Sequence, residues 1–131
     1  MINGYAYLTL MVSNQDEALA YYQEKIGLEV RQDIPFGPDI RWVTVAPKGV
    51  MFPEISLTQS SNDSTRAVVG QQTGDHVVFV LTTADADAFH SELSAKGVNV
   101  QGAPEDMPWG RFFSFKDLYG NVIDVLQPAL G

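Results

Sequence analysis

Cysteine is absent from the 131 residues, which excludes disulfides, thiolate metal centres and a cysteine nucleophile together. Only two histidines, His76 and His90, are present, so any metal ion would depend on them and on Asp or Glu. Basic residues are scarce, 8 against 16 acidic, and the net charge of −8 repels phosphate backbones. Nucleic acid is therefore not expected as a partner. No apolar run approaches the roughly 20 residues that span a bilayer, so no membrane is expected either. Met1-Ile2-Asn3-Gly4-Tyr5 lacks the basic and then apolar order of an export signal, which makes the cytoplasm the expected compartment. The bland reading of the acidity is solubility alone.

What remains is the composition of a folded chain, 45% hydrophobic and 18% charged, of a length that suits a single domain. Residues 5 to 12 alternate Leu8, Leu10 and Val12 with Tyr5, Tyr7, Thr9 and Met11, the period of a strand. Asn14 with Glu17 three residues later predicts a capped helix carrying Ala18, Leu19, Tyr22 and Ile26, stopped by Gly27. Residues 28 to 34, 40 to 46 and 54 to 59 read as strands separated by Pro and Gly turns.

After a polar stretch the order restarts. Residues 76 to 82 read as a strand, 84 to 96 as an amphipathic helix stopped by Gly97, and 98 to 101, 111 to 116 and 122 to 127 as strands. Matching Tyr7 to His76 and Asp16 to Asp85 needs an offset of 69, whereas Gly27 to Gly97 needs 70. An internal duplication is the economical explanation. The expected organisation is α+β: two βαβββ modules, one over 1–60 and one over 75–131, joined by a connector over 61–74. One helix shields one face of each sheet, and the two remaining faces can curl toward each other to enclose a cavity.

Val12-Ser13-Asn14, Tyr21-Tyr22, Ile26-Gly27-Leu28, Ala95-Lys96-Gly97-Val98, Pro108-Trp109-Gly110 and Asp117-Leu118-Tyr119-Gly120-Asn121 occur in an order that resembles the vicinal oxygen chelate superfamily. This is the group of glyoxalases, bleomycin-resistance proteins and extradiol dioxygenases, and the resemblance covers almost the whole chain. It implies a curved mixed sheet around a small-molecule cavity, and a homodimer. In metal-dependent members one divalent ion is held from the first and last strands of each module. By resemblance those positions are Tyr7, Ser56, His76 and Asp124. Tyr7 and Ser56 are neutral near pH 7 and hold a cation poorly. Glu54 faces the same way as Ser56 but lies about 6.6 Å along the strand.

The cofactor expectation is thus none, or one divalent ion of unknown identity on His76, Asp124 and Glu54. His76 with Asp124 admits three readings: a retained metal pair, a general base oriented by a carboxylate, or a hydrogen-bonded pair lining the cavity. Tyr7, Trp42, Ser56, Trp109 and Arg111 are candidate substrate contacts, Trp109 for stacking and Arg111 for a ligand carboxylate. His90 falls mid-helix, at the surface. Three functions stay open: a metal-free small-molecule binder, a metal-dependent lyase, isomerase or dioxygenase with a degenerate site, and a dimeric accessory domain.

Overall fold

The computed structural model describes residues 1–130 and divides into two compact units, Met1–Val69 and Gly70–Gly131. The division falls inside the polar stretch where the sequence pattern restarts. In the first unit β1 (Tyr7–Val12), β4 (Glu54–Gln59), β3 (Arg41–Ala46) and β2 (Glu29–Pro35) form a sheet in that spatial order. The pair β1·β4 is parallel and the other two are antiparallel. Alternation buries Leu10, Val12, Val43, Val45, Ile55 and Leu57 on one face, with Ala18, Tyr22 and Ile26 of the helical segment. Each fully buried side chain of this size contributes roughly 1.5 to 3 kcal/mol.

The second unit repeats the plan. Strands β5 (Val77–Thr82), β9 (Val122–Pro128), β8 (Gly110–Lys116) and β6 (Asn99–Val100) lie in that order, and β7 (Glu105–Met107) pairs with β8. Here β5·β9 is parallel. Phe113, Phe115, Ile123, Val125 and Leu93 form the core, Leu93 coming from α3 (Ala86–Ala95). The turn after β8 is built on Asp117, whose Oδ1 accepts from the Tyr119 and Asn121 amides while Oδ2 accepts from Asn121 Nδ2.

Three local features depart from the sequence reading. The first helix is α1 (Gln15–Tyr21) followed by a π-helical turn, Tyr22–Ile26. Counting from N-cap to stop glycine gives 13 positions from Asn14 to Gly27 but 12 from Asp85 to Gly97. The extra residue lies in the first half, and the π turn is the usual way a helix absorbs one. The connector contains α2 (Asp63–Ala67), capped reciprocally by Asn62 and Thr65. Strand β7, formed by Glu105–Met107, was not legible as a strand.

Candidate ligand-binding site

In both units the first turn of the helix is tied to the last strand by a glutamine. Gln59 Oε1 accepts from the Gln15 amide, and Gln127 Oε1 accepts from the Ala86 amide. Asn14 and Asp85 cap the two helices in the same way, each accepting from the amide three residues on. These contacts fix the internal alignment of the halves. The offset is 71 from Asn14 to Asp85 and 68 from Gln59 to Gln127. Strand pairing agrees: Thr9 lies opposite Ser56, and Val80 lies opposite Asp124, again 71 and 68 apart.

This corrects the match of Tyr7 to His76. Tyr7 pairs with Glu54, and the corresponding pair in the second unit is Val77 with Val122. The register shifts between Val77 and Phe79, where β5 carries one residue more than β9. His76 lies before the strand and is exposed; its carbonyl accepts from Thr73 Oγ1. It is four residues from Val80, about 13 Å along an extended chain, and so is not opposite Asp124. Asp124 is bonded instead to Ser114, whose hydroxyl donates to Oδ1. His90 is half-buried rather than at the surface, set edge-on to Phe113 at 5.1 Å with Nε2 2.7 Å from the Gly102 carbonyl.

The face of the first sheet opposite its helix collects Tyr7, Gln32, Trp42, Thr44, Glu54 and Ser56. Glu54 is buried, and its Oε1 accepts from Thr44 Oγ1 at 2.7 Å and Gln32 Nε2 at 3.0 Å. Gln32 Nε2 also lies 3.2 Å from the Tyr7 hydroxyl. The Tyr7 ring stands edge-on to Trp42 at 5.0 Å and to Phe52 at 6.5 Å. Beside this network is a cavity of about 270 Å³ lined by residues that include Phe36, Ile40, Trp42, Ser56 and Thr58. On the second sheet a cavity of about 220 Å³ is lined by Val80, Trp109, Phe112, Asp124 and Leu126. Each has an aromatic wall and a few polar groups, the composition of small-molecule sites.

The arginines near these faces are already engaged. Arg41 holds Asp33 through Nε and Nη2 and Asp16 through Nη1. Arg111 holds Asp87 through Nε and Nη2 and Asp106 through Nη1. Hydrogen bonds to Asp33 and then Asp16 raise the Arg41 pKa above its ordinary value, and Asp87 and then Asp106 do the same for Arg111. Each clamp joins the first turn of a helix to its own sheet, so three of the five N–H groups of Arg111, and its charge, are already committed to aspartates.

A divalent ion does not fit the donors present. The corrected alignment leaves Tyr7, Ser56, Val77 and Asp124 at the positions the resemblance assigns to ligands, and of these only Asp124 is a strong donor. Glu54 is engaged by two neutral donors. Among the described residues no three His, Asp or Glu side chains are grouped so as to hold an ion.

The fold is thus a duplicated βαβββ protein with an apolar-walled cavity on a sheet face of each unit. Residues 4–125 match the model of the Glyoxalase/Bleomycin resistance protein/Dioxygenase superfamily, and the chain belongs to that family. It is similar to TnmS3, an antibiotic-binding protein from Streptomyces sp. CB03234, with a TM-score of 0.80, 34% identity and 98% of each chain covered. The uncharacterized protein YetH of Bacillus subtilis (strain 168) is 31% identical over 127 residues, 93% of this chain and 96% of that protein. The fosfomycin resistance protein FosX of Listeria monocytogenes shares the fold, with a TM-score of 0.72 at 15% identity, over 99% of this chain and 97% of that one.

Proposed function

We propose that the protein binds an aromatic small molecule on its sheet faces without transforming it. The observation that carries this reading is the chemistry of the two cavities. Trp42, Phe36 and Ile40 wall one, and Trp109, Phe112 and Leu126 wall the other. The groups that would do chemistry are dispersed: His76 is away from Asp124, and Glu54 is tied to Thr44 and Gln32. Trp42 and Ser56 are the proposed contacts in the first unit and Trp109 in the second, with Tyr7 positioning Trp42. Similarity to an antibiotic-binding protein supports sequestration as the role. A homodimer in the cytoplasm is the proposed working form. No helix is long and apolar enough to cross a membrane among the described residues.

The test is a fluorescence titration with 2-naphthylmethanol, read on the two tryptophans, with mass spectrometry of the recovered ligand. Saturable quenching by unchanged ligand is expected, and Trp42→Ala should weaken binding about tenfold. Prior dialysis against EDTA should leave the affinity unchanged. Binding that requires added manganese, nickel or zinc, or conversion of the ligand, would favour the metal-dependent enzyme.

A further inference from the structure

Among the ionisable groups on the two sheet faces, Asp124 is set apart by its surroundings. It is half-buried, and the other residues lining its cavity are Val80, Trp109, Phe112 and Leu126, all without charge. Ser114 donates to Oδ1. No ion pair joins it to a lysine, arginine or histidine among the described residues: on β8, Arg111 is held by Asp87 and Asp106 on the other face, and Lys116 lies opposite Val122, two residues along the strand from Ser114. A carboxylate in an apolar wall with one neutral donor leaves most of its acceptor capacity unused, and a cation bearing N–H groups is the partner that satisfies it best.

Trp109 supplies the second observation. It is 62% exposed, unusual for so large an apolar side chain, yet its backbone is held. Its carbonyl accepts from the Ala129 amide at 2.9 Å, and it sits in the tight turn where β7 meets β8. The next residue, Gly110, has φ +149°, and a Cβ there would lie 2.2 Å from the Gln127 carbonyl oxygen. Only glycine lets the turn close against β9. An exposed indole on a fixed backbone, with no ring partner among the described residues, is prepared to take a flat ligand or a cation on its face.

We infer that the cavity of the second unit recognises an organic ammonium: a planar aromatic ligand carrying a protonated amine, with Asp124 taking the charge and Trp109 the ring. This rests on the small-molecule-binding reading above and assigns its ligand class. The net charge of −8 acts in the same direction by concentrating cations at the surface.

A matched pair of probes separates the two ideas. 2-Naphthylmethylamine is protonated at neutral pH, and 2-naphthylmethanol has the same ring and a neutral head. Calorimetric titration of the intact protein should show the amine binding about tenfold more tightly than the alcohol, the scale of one charge-assisted contact. Asp124→Asn keeps an acceptor for Ser114 and removes the charge, so it should abolish that preference, the amine falling to about the affinity of the alcohol in the same variant. Trp109→Ala should weaken both. Equal affinities for the two probes on the unmodified protein would overturn the ammonium assignment while leaving the binding reading intact. Binding of neither probe would overturn both. An amine preference that survives in Asp124→Asn, with a native circular dichroism spectrum, would overturn the role given to Asp124. The comparison on the unmodified protein decides the ligand class even if the variant does not fold.

Discussion

At the scale of single residues, Gly110 shows how closely backbone space limits this chain. A methyl group there meets both a carbonyl oxygen and a φ that L-residues avoid. Gly110→Ala should therefore lose on the order of 2 kcal/mol or more of stability, read by urea denaturation. A loss below about 0.5 kcal/mol would mean the turn relaxes around the methyl. The arginines carry the opposite lesson. Arg111 reads from sequence as a carboxylate binder because its partners, Asp87 and Asp106, lie on elements brought together only by folding. Both guanidinium pKa values are raised, so their stabilising pairs persist below the ordinary arginine range and are lost only above it. Neither guanidinium therefore changes charge at working pH.

At the scale of elements, the helix starts were legible because capping is local. Asn14 and Asp85 each accept from an amide three residues ahead, a geometry fixed by spacing alone. Asn14→Ala and Asp85→Ala should each cost about 1 kcal/mol, measured as a shift in the denaturation midpoint. A near-zero effect at either site would show that the glutamine reaching the same first turn already suffices. The short helix over Asp63–Ala67 escaped notice because Thr65, rather than Glu or Gln, closes its capping box. The three residues of β7 are too few for alternation to register. The π turn at Tyr22–Ile26 is hidden for another reason: an inserted residue changes the length of a helix without disturbing its apolar stripe enough to notice.

At the scale of the whole molecule, the charge of −8 is spread over a chain with twice as many acids as bases. Self-repulsion should make the melting temperature rise when salt goes from about 0.1 M to about 1 M, as the screening length falls from about 10 Å to about 3 Å. Sodium chloride in a calorimetric scan is the check, and a fall in melting temperature would show that the attractive clamps outweigh the repulsion. The duplication itself was legible, since paired glycine stops and helix caps survive in both halves. Its register was not, because the contacts that fix it join residues some 40 positions apart. The extra residue in β5 has a wider consequence. Downstream, Phe79 and Leu81 keep their pairing with Ile123 and Val125, so the core is undisturbed. Upstream, every side chain is rephased against the neighbouring strand. An extra residue in one strand can thus change which side chain meets a given partner while sparing the fold, so that in such a scaffold a site and the architecture beneath it are separately heritable.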